Sequence, residues 1–184
     1  PFYAGRVGTF GGAGRNFGIQ NSDLLLGIGT RISGRITGGN IHSFAREAKK
    51  YVVDVDEALL QKHLQQVPFD ENILCDAKEF INLLIKKFKK NQFDKNILDN
   101  QKKWFSQCIE WKKKYDPVKS EFFNDSQIVH PYAFIRSLSN KLDNNDIIVA
   151  DCGGNIVVTN HAFETKRGQR YFTNNGNSPM GFSF

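Results

Sequence analysis

The sequence predicts an α/β protein built on open parallel sheets, and three observations carry that expectation. The continuous apolar runs Leu24-Leu25-Leu26-Gly27-Ile28-Gly29 and Ile147-Ile148-Val149-Ala150 lack the alternation of a half-exposed strand. Such runs suit strands buried on both faces, as parallel strands are. Both runs end in glycine-bearing loops, and segments of helical apolar spacing alternate with strand-like ones in short units.

Taken in order, the chain opens on a glycine-rich segment, Gly5 to Arg15, that suits a loop turning sharply or approaching another group closely. Ser22-Asp23 leads into the first strand, which a loop rich in Gly and Arg follows, Gly29 to Gly39. A short helix is expected over His42 to Lys49, a second strand over Tyr51 to Asp56, and a helix over Glu57 to Leu64. Ile73-Leu74-Cys75 reads as a third strand. Asp76 followed by Glu79 has the cap-plus-acid pattern of a helix start. Ile81, Leu84, Ile85 and Phe88 carry that helix to about Lys90.

A further amphipathic helix fits Asn100 to Tyr115, with Trp104, Cys108 and Trp111 on one side, and Asp116 to Gln127 reads as a linker. Pro131, favoured in a first helical turn, starts a helix over Tyr132 to Leu142 with Phe134, Ile135 and Leu138 toward a core. After a turn at Asp143–Asp146 comes the strand Ile147–Ala150. It ends at Asp151-Cys152-Gly153-Gly154-Asn155, where ligands sit in open α/β sheets. Arg170-Tyr171-Phe172 reads as one more strand, followed by a polar loop from Asn174 to Gly181.

Composition narrows the classes. The chain has 184 residues, 40% of them hydrophobic and 24% charged, a globular balance. No apolar run approaches the roughly 20 residues of a membrane helix, and residues 1–15 lack the charge and apolar core of a signal peptide. The net charge of +6 invites nucleic acid. Ten of the lysines, however, fall between Lys86 and Lys114, interspersed with Asp94, Asp99 and Glu110, as on a solvated helical face. Cys75, Cys108 and Cys152 form no CxxC pair, and the four histidines have no ligand spacing. Reduced thiols in a cytoplasmic protein, with no membrane and no nucleic acid as partner, are the expectation.

The glycine-rich loops do not match a nucleotide fingerprint. GxxxxGK[ST] is absent, and Phe17 and Ile32 stand where the third glycine of GxGxxG belongs. Arg31 and Arg35, just past a strand end beside Gly29, offer forked donors suited to a phosphate or an adenine cofactor. They are equally suited to hold the loop to acidic neighbours. Asp54 and Asp56 could meet a ribose hydroxyl or cap the helix expected after them, Asp56 more naturally the latter. No nucleophile elbow or placed Ser–His or Cys–His pair occurs. The residues supply binding loops and no evident catalytic base.

The order of the pieces nonetheless resembles a known family. Gly8-Thr9-Phe10-Gly11, Asn16 to Arg31, Gly34-Arg35-Ile36-Thr37-Gly38 and Val53-Asp54-Val55-Asp56 are similar to the central domain of acetolactate synthase-like thiamine-diphosphate enzymes. Ile148 to Gly153 and Met180-Gly181-Phe182 resemble the start of that family's diphosphate-binding domain. The resemblance implies a Rossmann-like open parallel sheet in residues 1–120, the C-terminal part of the central domain. It implies the beginning of a second α/β domain, the thiamine-diphosphate-binding one, in residues 121–184.

The resemblance also implies a function. The parent enzyme would decarboxylate a pyruvate-like 2-oxo acid and transfer the resulting two-carbon carbanion to an acceptor. Gly153, Gly154 and Asn155 would lie by the diphosphate, a carbonyl near Ser178 would meet the aminopyrimidine, and Met180 would press against the rings. Gly29, Arg31, Arg35, Asp54 and Asp76 would be the residues facing FAD or another nucleotide where one is held. Gly154-Asn155 stands where the family's synthases usually carry Gln-His, and Cys75 where Gly often precedes the Asp.

Magnesium ligands are expected beyond residue 184, and the activating glutamate in a pyrimidine-binding domain outside this segment. The chain is therefore read as an internal excerpt, inactive alone, of a homodimer or homotetramer. The rival reading is a non-catalytic or regulatory homologue that binds an adenine nucleotide or FAD through Arg31 and Arg35.

Overall fold

The computed structural model describes residues 3–61, 65–91, 93–124, 127–174 and 176–183. They form two compact units, Pro1–Thr9 with Ala13–Lys114 and Phe10–Gly12 with Tyr115–Phe184. Both are α/β, and every strand pairing within them is parallel.

In the first unit, strands β1 (Leu24–Ile28), β2 (Lys49–Asp54) and β3 (Glu71–Leu74) form a sheet in the order β1-β2-β3. Leu24 lies opposite Lys49 and Tyr51 opposite Glu71. The apolar runs form the expected strands at 24–28 and 147–150, but neither is buried on both faces: Leu24 and Leu26, like Ile147 and Val149, stay exposed, while Val52 and Val53 of β2 are buried. The core gathers Phe44, Ala45, Ala48 and Val67, with Ile19, Leu25, Ile32 and Phe69 against them.

Helix α1 (Ala13–Gln20) begins inside the segment read as a glycine-rich loop. Its glycines serve close packing rather than a turn. A Cβ on Gly14 would stand 2.1 Å from the Trp111 carbonyl oxygen, and one on Gly18 would stand 3.5 Å from Cys108 Sγ. Trp111 and Cys108 belong to the long helix α4 (Lys95–Lys114), which starts five residues before the expected Asn100. Phe17 meets Trp111 edge-on at 6.1 Å, and Trp104 meets Trp111 at 5.8 Å. The expected Trp104/Cys108/Trp111 side thus meets α1 through Cys108 and Trp111, while Trp104 stays exposed.

Two expected helices are not found among the described residues. Between His42 and Lys49 there is only a 3-10 turn, Ile41–Ser43, followed by further turns. Ala45 takes φ +44, its N–H reaches Gln20 Oε1 at 3.3 Å, and Arg46 Nη1 donates to the Gln20 carbonyl at 3.0 Å. Contacts with the end of α1 therefore replace helical bonds. Residues 57–60 form a hydrogen-bonded turn that Asp56 caps through the Ala58 N–H at 2.9 Å; residues 62–64 of that expected helix lie outside the described residues. A short helix α2 (Gly34–Thr37) crosses the Arg-bearing loop.

Helix α3 (Ala77–Lys90) agrees with expectation at both ends. Asp76 Oδ1 accepts from the N–H groups of Lys78 and Glu79 at 2.9 and 3.1 Å, satisfying donors that a helix start otherwise leaves open. Ile81, Ile85 and Phe88 on its apolar stripe remain exposed among the described residues.

The second unit pairs β4 (Ile147–Ala150) with β5 (Arg170–Thr173), in register from Ile147 opposite Arg170 to Ala150 opposite Thr173. Helix α5 (Pro131–Lys141) has Pro131 in its first turn, as expected, and buries Ala133 and Ser139 while Phe134 and Leu138 stay exposed. The stretch read as a linker is partly anchored. Ser120–Phe123 is a 3-10 turn, and the Phe122 ring stacks on His130 at 3.7 Å. Helix α6 (Gly154–Ala162) goes unmarked in the sequence pattern. It buries Ile156, Thr159, Asn160 and Ala162, so it lacks the one-sided stripe that marks a helix in sequence.

Candidate functional site

The register of β4 and β5 sets the site. Because Ala150 and Thr173 are partners, the loops that follow both strands leave from adjacent points at the carboxyl edge of the pair. Ligands in open parallel α/β folds bind at such edges. Of the expected residues, Gly153 ends the first loop, Gly154 and Asn155 open the helix α6 that follows it, and Ser178 and Met180 lie on the second loop.

On the first loop Gly153 takes φ +65, a conformation that favours glycine, and immediately precedes α6. Among the described residues no side chain caps the first turn of α6, and a Cβ on either Gly153 or Gly154 would meet nothing within 4 Å. The backbone donors of this turn are therefore approachable. With the partial positive charge of a helix start they form a donor set that fits a diphosphate. Asn155 Oδ1 accepts from the Asp151 N–H at 3.1 Å, so its oxygen is engaged while its amide nitrogen makes no hydrogen bond among the described residues.

On the second loop, Ser178 takes φ +46 and donates its N–H to the Asn174 carbonyl at 2.8 Å, while Gly181 takes φ +88. Met180 is 90% exposed, an apolar thioether left open to a flat partner. Residue 175 of this loop lies outside the described residues.

A carboxylate absent from the expected site joins the two loops. Asp151 Oδ1 accepts from the Cys152 N–H at 2.7 Å, both its oxygens face the Gly181 N–H at 3.1 and 3.0 Å, and Ser183 Oγ donates to Oδ2 at 3.0 Å. Partial desolvation pushes this carboxyl up. Hydrogen bonds from Ser183, Cys152 and Gly181 outweigh that effect and hold it below the usual carboxylate range. The only signal in the sequence was an Asp at a strand end before a glycine loop.

The first unit's candidate nucleotide residues do not converge on one pocket. Arg31 and Asp54 line a cleft of about 80 Å³, small beside the roughly 300–1,000 Å³ of ligand pockets. Arg35 instead lines a separate depression with Gly8 and Thr9, and its carbonyl accepts from Thr9 Oγ1 at 2.9 Å. Asp54 Oδ1 accepts from the Asp56 N–H at 3.0 Å. Gly29 takes φ +57 beside the start of α3, which Asp76 caps. Among the described residues no group of three or more His, Cys, Asp or Glu could hold a metal ion, and no helix is long and apolar enough to cross a membrane.

Residues 1–84 match the model of the thiamine pyrophosphate enzyme central domain. The whole chain aligns with the probable acetolactate synthase large subunit of Methanocaldococcus jannaschii at 31% identity and with that of Methanococcus aeolicus at 32%. The chain resembles the acetolactate synthase-like thiamine-diphosphate enzymes along its whole length. A more distant member, the acetolactate synthase large subunit of Cyanidium caldarium, is 28% identical over 99% of the chain. The chain spans about a third of the length of these relatives, 30%, 31% and 29% respectively. Within this acetolactate synthase-like chain the family model covers β1 to β3, and the two loops at the β4–β5 edge lie outside it.

Proposed function

We propose that this chain is part of a thiamine-diphosphate-dependent enzyme that decarboxylates a 2-oxo acid such as pyruvate and passes the two-carbon unit to an acceptor. The observation that supports it best is the uncapped, glycine-bearing start of α6 beside the Ser178–Met180 loop, at the edge of paired parallel strands. Residues 1–120 are read as part of the central domain and residues 121–184 as the beginning of the diphosphate-binding domain.

Each residue then has a task. Gly153 turns the chain, and the N–H groups at Gly154 and Asn155 together with the Asn155 amide bind the diphosphate. A carbonyl near Ser178 accepts from the aminopyrimidine, and Met180 supports the rings. Bound thiamine diphosphate supplies the electron sink on which decarboxylation depends. Magnesium would be held by residues beyond position 184.

FAD at Gly29, Arg31, Arg35, Asp54 and Asp76 is the weaker half of the reading, because Asp76 already caps α3 and the two arginines line different depressions. The working protein is read as a cytoplasmic homodimer or homotetramer.

The test uses the full-length protein with pyruvate, thiamine diphosphate and magnesium, following pyruvate loss and acetolactate formation together. Acetolactate is the expected product. Thiamine diphosphate binding with turnover of another 2-oxo acid alone would keep the cofactor reading and replace the substrate. A full-length protein that binds no thiamine diphosphate would overturn it.

A further inference from the structure

We propose that Asp151 is a positioning residue that clasps the diphosphate loop to the pyrimidine loop and so sets the spacing at which the cofactor's two ends are held. The inference rests on the proposed cofactor reading. The contact spans thirty residues of sequence: Asp151 follows β4, and Gly181 and Ser183 follow β5.

The chemistry of the carboxylate argues for such a role. An acidic side chain one residue away from a loop meant for an anion would repel it. Here the charge is met by donors from both loops, among them the Cys152 N–H, the Gly181 N–H and the Ser183 hydroxyl. Charge-assisted hydrogen bonds of this kind are roughly twice as strong as neutral ones. The Asp151 backbone N–H is held in turn by Asn155 Oδ1, which ties the clasp to the first turn of α6. Gly181 takes φ +88, so the bend that brings its N–H onto the carboxylate favours glycine. Met180 immediately precedes that N–H, and Gly153 and Gly154 follow Cys152 closely. Each end of the clasp thus sits within a few residues of a group assigned to the cofactor.

The experiment compares the full-length protein with Asp151→Ala, Ser183→Ala and the double variant. Amide hydrogen exchange at Gly181 is read without cofactor, and thiamine diphosphate affinity is read by calorimetry with magnesium present. In Asp151→Ala we expect fast exchange at Gly181, retained protection in β4 and α5, and affinity lower by about tenfold or more. Ser183→Ala should lose less, and the double variant no more than Asp151→Ala, because both changes remove one interaction. Unchanged exchange at Gly181, or unchanged affinity in Asp151→Ala, would overturn the clasp. Loss of protection throughout β4 and α5 would do the same, since it would make Asp151 a general stabiliser. Wild-type protein that binds no cofactor would sink the cofactor reading instead, and the positioning role with it, whatever the exchange shows.

Discussion

Arg136 grips Asp116 with both terminal nitrogens, each at 3.1 Å, while its Nε donates to the Ala162 carbonyl at 2.7 Å. Glu164 adds a looser ion pair at 3.7 Å. One side chain of α5 thereby fastens both the segment after Lys114 and the last turn of α6. The orphan carbonyls at the end of a helix are a favourable place for a cation.

Replacing Arg136 with Ala should destabilise the protein by roughly 2 kcal/mol, since a half-buried carboxylate and a helix-end carbonyl both lose a partner. Urea unfolding followed by circular dichroism reads the change. Asp116→Asn, which keeps an acceptor for the guanidinium, should cost less. Equal, negligible losses in both variants would refute this role for Arg136.

The α1–α4 contact makes opposite predictions for two glycines in one helix. Gly14→Ala should lower stability by about 1–3 kcal/mol despite alanine's better helix propensity, because its Cβ would press on the Trp111 carbonyl. Gly18→Ala meets Cys108 Sγ at an ordinary 3.5 Å and should be neutral or stabilising by up to about 1 kcal/mol. Melting temperatures of the two variants decide it, and a shared direction would contradict the packing described.

Gly153 and Gly154 separate strain from space. Neither position is crowded, but only Gly153 has a positive φ. With φ +65 and ψ −140 it lies outside the left-handed helical well as well, so Gly153→Ala should cost about 1–3 kcal/mol of stability through its backbone alone, and Gly154→Ala close to none. Chemical denaturation of both variants is the check.

Asp151 gives the pH prediction, with its sign fixed by a lowered folded-state value. The clasp contributes fully above the ordinary carboxylate range and persists into mild acid. It is lost as pH falls through the depressed value, where the folded carboxylate finally takes up a proton. Exchange at Gly181, corrected for the intrinsic pH dependence of amide exchange, should stay slow at pH 5 and rise only in stronger acid. In Asp151→Asn that corrected acid response should vanish.

Much of the frame was legible because local chemistry determined it. The apolar runs gave β1 and β4, Asp76 with Glu79 marked the start of α3, and Pro131 marked the start of α5. The failures have a common cause in contacts between distant residues. Gly14 reads as part of a loop, yet with Gly18 it admits α4 at close range. The His42–Lys49 segment yields to Gln20, and α6 is hidden because several of its faces are buried. At the site, Gly153 could be expected at the end of a strand. The reach of Asp151 to Gly181 could not, since hydrogen bonds across thirty residues leave no periodic trace.

The pairing of Ala150 with Thr173 carries a consequence for how such a chain can vary. Neighbouring strands keep a spacing of about 4.8 Å whatever joins them. The points from which the two loops depart are therefore set by the strand pairing itself, and the segment from Phe163 to Gln169, which leads from α6 into β5, is held separately by the end of α5 and the turn after it, through Ser139, Leu142 and Asp143. A single residue gained or lost inside β5 would shift every contact beyond it.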